Sequence, residues 1–175
     1  MGLFRPAAHF DVLPLVPVQE LAAKGIRLVL LDVDNTVTTW NNPEVEPAVV
    51  TWFGELAGAG LTACLLSNNS AERLAPLAGK LGCEFFPKAG KPRPGGYRRA
   101  CARFGAEVVQ TVMIGDQLLT DILGANLAGM ASILVTPISL DREFKWTYVN
   151  RRIERVIKGP TLKPVPHNRL PERLK

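Results

Sequence analysis

Short apolar runs alternate with stretches of helical periodicity along most of the chain. The apolar runs predict five buried strands, at residues 27–33, 61–66, 84–86, 111–114 and 131–135. Between the strands, the spacing of apolar residues predicts four helices, at residues 47–59, 71–81, 95–104 and 118–127. Strands that alternate with helices pair in parallel, so we predict an α/β domain whose mostly parallel five-stranded sheet is covered by helices on both faces.

The C-terminal part of the chain departs from this alternation. Residues 141–158 are predicted to form one more helix, and the prolines after Gly159 predict an extended or mobile tail. A chain of 175 residues has room for one domain. We place that domain at residues 1–158 and a proline-rich basic tail at residues 159–175.

The positive charge of the protein is concentrated near the C-terminus. The net charge is +5, but residues 142–175 hold ten Lys and Arg against three Glu, whereas the preceding 141 residues hold eleven against thirteen acidic residues. Such a segment can contact an anionic membrane, RNA or an acidic partner, and a solvated tail is an equal alternative. Because the sequence shows no secretory signal and no apolar run near the roughly 18 residues of a membrane helix, we expect a cytoplasmic protein, with peripheral membrane attachment as an option.

Polar residues follow the predicted strands at their carboxyl ends. They form the phrases DVDNT at residues 32–36, SNN at 67–69, KAGKP at 88–92 and GD at 115–116, with Asp121 shortly after. Ligands bind beyond the carboxyl ends of the strands in parallel α/β sheets. If the strands are neighbours, four carboxylates, a serine hydroxyl and one or two lysines converge there.

Four acids in one crevice require either protons or a cation. Two carboxylates about 4 Å apart repel each other by roughly 4 kcal/mol at an effective dielectric constant near 20. Carboxylate oxygens suit Mg²⁺, while the Ser67 hydroxyl, loop amides and a lysine suit a phosphate group. Alternate residues of an extended chain point the same way, so one of Asp32 and Asp34 can attack phosphorus while the other acts as general acid and base. The pattern therefore predicts phosphoryl transfer through an aspartyl phosphate.

The order of these phrases resembles the motifs of the haloacid dehalogenase (HAD) superfamily of phosphatases. Within it, the phrases LDVDNTVTTW, KAGKP and GDQLLTDILGAN resemble the YqeG-type subfamily, and the likeness runs over about residues 4–158. The resemblance implies a Rossmann-like three-layer sandwich. Val37 stands where a Leu is usual, and the proline-rich tail is not part of the family pattern.

The resemblance also implies a role for each motif residue. Asp32 would be the nucleophile and Asp34 the general acid and base. Mg²⁺ would be held by Asp32, by the backbone carbonyl of Asp34, and by Asp116. The phosphate group is assigned to Ser67, Asn68 and Lys91, with Lys88 as a rival lysine, and Asp121 would orient the metal shell or Lys91.

The spacing of the motifs leaves no room for the cap domain that usually selects substrates in this superfamily. Only 32 residues separate Asp34 from Ser67, and only 23 separate Ser67 from Lys91. A capless (class III) site should be open, which suits a large or surface-bound phosphoester, or a lid from a second subunit in a homo-oligomer. The subfamily is also similar to fungal mitochondrial and plant phosphatases that act on phosphatidylglycerophosphate, so this lipid headgroup is the leading candidate substrate.

Two other classes of function compete with a Mg²⁺-dependent phosphomonoesterase. The first is a non-catalytic phosphate- or RNA-binding module that uses the basic C-terminal segment, while the acidic site only holds metal. The second is a phosphoacceptor signalling domain, which would keep its aspartyl phosphate. Asp34, as a built-in hydrolytic base, argues against the second.

Overall fold

The computed structural model of the protein describes residues 2–40, 42–139, 169–172 and 174. The predicted helix at residues 141–158 lies outside these ranges, and so does the predicted boundary between domain and tail, which stays a prediction. Within the described part of the chain, no helix has both the length and the apolar character that crossing a bilayer requires.

Six strands and five α-helices form the described domain. The strands are β1 (Ala8–Phe10), β2 (Leu28–Leu31), β3 (Thr62–Leu66), β4 (Glu84–Phe86), β5 (Thr111–Gly115) and β6 (Ala131–Val135). The helices are α1 (Val18–Ala23), α2 (Pro47–Gly58), α3 (Ala71–Leu81), α4 (Pro94–Arg103) and α5 (Leu123–Ala128). Within the described residues, the predicted strands and helices are present with their ends shifted by a few residues. The helix predicted at residues 118–127 consists of a π-helical turn, Leu118–Ile122, followed by α5.

All six strands are parallel, in the order β1-β6-β5-β2-β3-β4. The prediction of five strands was wrong by one, because β1 also belongs to the sheet and pairs Ala8–Phe10 with the edge of β6. The three residues of β1 lie before the alternation of strands and helices, which the sequence shows from residue 27 onward.

The sheet lies between two layers of helices. Successive residues of β2 point to opposite faces, so Val29 and Leu31 join the core cluster shared with α1, α2 and α3, while Leu28 and Leu30 join the cluster shared with α4 and α5. All four β2 side chains are fully buried. This is the expected three-layer α/β sandwich, and β2 is its centre.

The topology reverses direction beside β2. The chain runs from β2 outward to β3 and β4, then crosses back to β5 on the other side of β2 and continues to β6. The loops that follow β2 and β5 therefore diverge, and they leave a crevice at the carboxyl ends of these two neighbouring strands. Such a switch point is where ligands bind in open α/β sheets.

The segments in which a cap domain would be inserted hold little besides one helix each. The described chain between β2 and β3 contains α2, and the chain between β3 and β4 contains α3. Pro76 lies inside α3, yet the helix runs unbroken from Ala71 to Leu81. The carboxyl edge of the sheet is thus covered by loops rather than by a second domain in the described ranges.

The described end of the predicted tail packs on the domain instead of extending into solvent. Leu170 is buried in the core cluster of the α1 side, and its backbone N–H donates to the Glu20 carboxylate at 2.8 Å. The Lys24 ammonium donates to the backbone carbonyl of Glu172 at 3.2 Å. Burial of an apolar side chain favours this arrangement. The extended or mobile character of the tail stays a prediction.

Close packing between α4 and α5 gives a test of the fold. A Cβ atom at Gly124 would lie 2.4 Å from the Tyr97 hydroxyl oxygen, and Tyr97 is fully buried with its hydroxyl donating to the Thr120 carbonyl at 2.7 Å. We expect Gly124→Ala to lower the free energy of unfolding by about 1–3 kcal/mol, because the tyrosine has no room to move away. Urea denaturation followed by circular dichroism measures the change.

Gly54→Ala on α2 is the matched control for this prediction. Gly54 is exposed, and a Cβ atom there would meet nothing within 4 Å. Alanine in place of an exposed helical glycine stabilises a helix by up to about 1 kcal/mol. Equal effects of the two substitutions on stability would contradict the described packing of α4 against α5.

Candidate active site

The loop after β2 brings Asp32 and Asp34 to the switch point. The backbone N–H of Asp32 donates to the Ile114 carbonyl at 2.9 Å, which continues the pairing of β2 with β5 by one residue. The chain then folds into a tight turn, in which the carbonyl of Val33 accepts from the N–H groups of residues 36–38. Asn35 adopts a positive φ of 62°, a conformation that Asn tolerates better than most residues.

Lys91 lies at the centre of the site. Its Nζ donates to Asp32 Oδ1 at 2.6 Å and to Asp121 Oδ1 at 2.7 Å, and all three side chains are buried. Lys88, the rival lysine, is exposed and has a positive φ of 48°. Lys91 is therefore the lysine whose ammonium group reaches the carboxylates.

Asn68 holds the backbone of Lys91 rather than facing the carboxylates. Its side-chain amide donates to the Lys91 carbonyl at 3.1 Å, and its side-chain carbonyl accepts from the Lys91 N–H at 2.8 Å. Both ends of the amide are thus used to fix the lysine loop against the end of β3. Ser67 is buried in the same loop, where its hydroxyl oxygen accepts from the Asn69 N–H at 3.2 Å.

The acidic residues after β5 are placed by a glycine and a turn of π-helix. Asp116 follows Gly115 directly, is fully buried, and accepts from the Thr36 hydroxyl at 3.3 Å. Asp121 lies on the π-helical turn Leu118–Ile122, which continues into α5. A Cβ atom at Gly115 would lie 2.3 Å from Asp121 Oδ2, so only glycine lets this carboxylate approach the strand so closely.

Asp34 faces α3 instead of the buried carboxylates. Its Oδ2 accepts from the Asn69 side-chain amide at 2.8 Å, and its Oδ1 pairs with the Arg73 guanidinium. About a fifth of the Asp34 side chain is exposed, compared with 8% for Asp32. The two acids of the DVDNT phrase therefore occupy different environments, as a division of labour between them requires.

Burial and charge act in opposite directions on the two central ionisable groups. Burial raises the pKa of Asp32 to about 7; the Lys91 ammonium works against this rise, and the Asp121 carboxylate adds to it. Burial alone would lower the pKa of Lys91, but the carboxylates of Asp121 and Asp32 outweigh it and hold that pKa above its usual value. Without a further cation, burial therefore works against the charged form of Asp32, while the two carboxylates keep Lys91 charged.

The donor set of the site fits a magnesium ion. Asp32, Asp116 and Asp121 each offer a carboxylate oxygen, and these three atoms lie within 4.8 Å of one another. Among the residues that the structure describes, these three buried carboxylates share one buried ammonium group, that of Lys91. Hard oxygen ligands with an excess of negative charge are what Mg²⁺ requires, and a bound cation would also reverse the rise in the pKa of Asp32.

Comparison with known proteins identifies the family. The HAD-hydrolase-like family model matches residues 88–137, which contain Lys91, Asp116 and Asp121. The Bacillus subtilis protein named probable phosphatase YqeG is 35% identical over 139 residues, which cover 79% of this chain and 80% of that protein. The chain belongs to the YqeG family of HAD-type phosphatases. It is therefore a phosphoric monoester hydrolase, as the resemblance of its motifs implied.

More distant relatives share part of their length with this YqeG-family protein. The Chlamydomonas reinhardtii protein named phosphatidylglycerophosphate phosphatase 1, chloroplastic, is 33% identical over 143 residues, which cover 77% of this chain but 53% of that protein. In the crystal structure of a HAD phosphatase from Thermococcus onnurineus, the match has a TM-score of 0.58 at 17% identity and covers 69% of this chain and 90% of that one. The latter likeness supports the fold.

The structure gives roles to residues of this YqeG-family chain to which the motif analysis assigned none: three lie within the quoted phrases, and Arg73 lies outside them. Arg73 and Asn69 contact Asp34, Thr36 contacts Asp116, and Gly115 makes room for Asp121. A signal for Arg73 was present, because α3 begins two residues after the SNN phrase and its first turn must therefore lie beside the site.

The raised pKa of Asp32 predicts how the metal-free protein responds to pH. In the folded protein Asp32 keeps its proton up to about pH 7, whereas in the unfolded chain it loses it near 3.8. The folded state binds more protons between these values, so this group's contribution to stability falls as the pH rises through that window. The asparagine side chain of Asp32→Asn cannot ionise, so that variant does not lose stability in this way as the pH rises.

We expect the free energy of unfolding of Asp32→Asn, relative to that of the unsubstituted protein, to rise by about 2 kcal/mol between pH 5 and pH 7. Urea unfolding in EDTA at both pH values measures it, and the difference between the two proteins cancels the titration of other groups. A difference that does not change with pH would show that Asp32 has an ordinary pKa.

Proposed function

We propose that the protein is a Mg²⁺-dependent phosphomonoester hydrolase that works through an aspartyl phosphate on Asp32. The observation that carries the proposal is the contact of the Lys91 ammonium with both Asp32 and Asp121, beside the buried carboxylate of Asp116. This arrangement supplies a nucleophile, a fixed positive charge and metal ligands within one buried cluster.

The first half of the reaction is the transfer of the phosphoryl group to Asp32. A carboxylate oxygen of Asp32 forms a bond to phosphorus, and the bond from phosphorus to the ester oxygen of the substrate breaks. Lys91 stays protonated because two carboxylates hold it, so it faces the equatorial oxygens as a cation. The Ser67 hydroxyl and the N–H groups of its loop complete the site for these oxygens.

Asp34 serves both halves of the reaction. As an acid it gives a proton to the departing ester oxygen, which leaves as an alcohol; as a base it then takes a proton from the water that attacks the phosphorus of the aspartyl phosphate. Its partial exposure and its place beside Arg73 and Asn69 put it at the side from which a leaving group departs. The products are inorganic phosphate and regenerated Asp32.

The residues for the metal ion are Asp32, the backbone carbonyl of Asp34, and Asp116. When bound, Mg²⁺ supplies positive charge to the transferring phosphoryl group and removes the repulsion between the acids. Asp121 acts on the lysine, because its Oδ1 accepts from Lys91 and its Oδ2 accepts from the Gln117 N–H at 3.1 Å. We assign it a positioning role.

Phosphatidylglycerophosphate is the substrate that we favour. Two of the matched relatives are named phosphatidylglycerophosphate phosphatase 1. The chain spans about half of the length of each. The positive charge of residues 142–175 supports action at an anionic membrane surface. The described residue Ile138 precedes this segment by four residues, and its N–H donates to the Asn35 carbonyl at 3.0 Å. We place the protein at the cytoplasmic side of a membrane, bound peripherally.

Substitution of the two loop acids separates the steps of the proposed reaction. Asp32→Asn should lower the rate of p-nitrophenyl phosphate hydrolysis by at least about 10³-fold, because no nucleophile remains. Asp34→Asn should instead accumulate phosphoenzyme, since p-nitrophenolate leaves without a proton while the attacking water still needs a base. Acid quenching with ³²P-labelled substrate and mass spectrometry of the labelled peptide measure both.

The lysines provide a matched pair of controls for the same assay. Lys91→Met should lower the rate by about 10²-fold or more, because charge on the phosphoryl group loses its partner. Lys88→Met removes an equal charge three residues away and should retain activity. Full activity of Asp32→Asn, or label on another residue, would refute the assignment of the nucleophile.

A further inference from the structure

A groove runs from the site along α3. Its cavity has a volume of about 510 Å³, and it is lined by Val33 and Pro43 on the loop side and by Arg73, Pro76, Leu77 and Lys80 on α3. That volume falls within the range of pockets that bind small molecules. None of the residues that line it is acidic.

The helical positions explain the character of the groove. Residues three, four and seven apart lie on one face of an α-helix, so Arg73, Leu77 and Lys80 follow one another along the same side of α3. The two cations are roughly 10 Å apart along the helix axis, at about 1.5 Å per residue. Between them, the buried Leu77 and the ring of Pro76 form an apolar floor.

The inner end of the groove meets the proposed acid. Arg73 pairs with Asp34, and Val33, which lies between the two loop acids, forms part of the groove wall. In the proposed reaction Asp34 protonates the ester oxygen. A group attached to that oxygen on the far side from phosphorus can therefore extend into this groove.

The outer end of the groove holds a cation that is available to a ligand. Lys80 is exposed, and it forms no ion pair or side-chain hydrogen bond with the residues that the structure describes. A cation in the last turn of a helix also interacts favourably with the helix dipole. If Lys80 only stabilised the helix, its substitution would affect all substrates equally. If Lys80 binds the leaving group, its substitution affects substrates with a second negative charge more strongly.

We propose that the groove is the subsite for the leaving group, and that Lys80 together with Arg73 binds a second negative charge carried by that group. This inference rests on the proposed function. The chemistry it selects is an alcohol that bears a phosphate or a phosphodiester close to the reacting oxygen, with an apolar portion on Leu77 and Pro76. A glycerol headgroup between two phosphates, from a lipid or from a soluble bisphosphate, has this chemistry.

The pairing of Arg73 with Asp34 gives the second charge an additional effect. An anion in the groove competes with Asp34 for the guanidinium, because both are negatively charged partners of one cation. Arg73 therefore serves the acid when the groove is empty and the leaving group when it is filled. Substitution of Lys80 tests the subsite without disturbing the proposed acid, since Lys80 does not contact Asp34 or the buried carboxylates in the described structure.

Three substrates that differ in the leaving group test the proposal. Glycerol 3-phosphate lacks a second charge, glycerol 1,3-bisphosphate has one, and monomeric short-chain phosphatidylglycerophosphate has one together with acyl chains. We expect Lys80→Gln to lower kcat/KM for the two charged substrates, relative to that for glycerol 3-phosphate, by about tenfold, mostly through KM. A larger effect with the lipid than with the bisphosphate would identify the lipid as the natural source.

Arg27→Gln is the matched control. Arg27 is exposed and precedes β2, at the end of the sheet opposite to the site. Its substitution removes one positive charge, as Lys80→Gln does. It should leave all three values of kcat/KM at those of the unsubstituted protein. If Lys80→Gln changes kcat/KM for the three substrates by the same factor, or leaves all three values unchanged as Arg27→Gln does, the subsite is not in this groove.

A binding measurement distinguishes failure of the subsite from failure of the proposed function. Short-chain phosphatidylglycerol below its micellar concentration is the leaving alcohol itself, and its dissociation constant can be measured by calorimetry without any reaction. We expect Lys80→Gln to raise this constant about tenfold. If no phosphate ester is hydrolysed but this shift occurs, the proposed function is wrong and the subsite stands; if hydrolysis occurs and the constant does not change, the subsite is wrong.

Discussion

The crowding of carboxylates at the switch point is the constraint on which the rest of the structure depends. Asp32, Asp116 and Asp121 are buried within reach of one another, and such an arrangement is costly unless cations offset it. Lys91 is one of these cations, and its ammonium group is fixed by two of the acids. The three acids could hold a divalent metal ion as a second cation. Burial, opposed by Lys91 and reinforced by Asp121, raises the pKa of Asp32.

Much of the surrounding structure positions this cluster. The pairing of β2 with β5 brings the two acidic loops together, Gly115 lets the Asp121 carboxylate approach the strand, and Asn68 fixes the backbone from which Lys91 extends. The chemical groups thus belong to the loops, while the groove in which we propose recognition of the leaving group is lined by α3. No cap lies between the described strands, so α3 is the element that we propose to contact the leaving group.

The sequence predicted most of the buried site but less of its rim. Apolar runs and the order of the motifs located β2, β3 and β5, and the acids follow because they lie where parallel strands end. Three features depend on tertiary contacts that have no local pattern: the three-residue strand β1, the packing of Leu170 beside α1, and the pairing of Arg73 with Asp34. The contact of the Asn68 amide with the Lys91 backbone likewise has no local pattern, and the assignment of Asn68 to the phosphate group stays a prediction.

A crystal structure of the protein with Mg²⁺ and beryllium trifluoride tests the central claim most directly, because this anion mimics a phosphoryl group on an aspartate. We expect beryllium to bond to an Asp32 carboxylate oxygen, the Lys91 ammonium and the Ser67 hydroxyl to contact the fluorides, and Mg²⁺ to lie between Asp32 and Asp116. Beryllium on any other residue, or a metal ion held away from these two carboxylates, would contradict it.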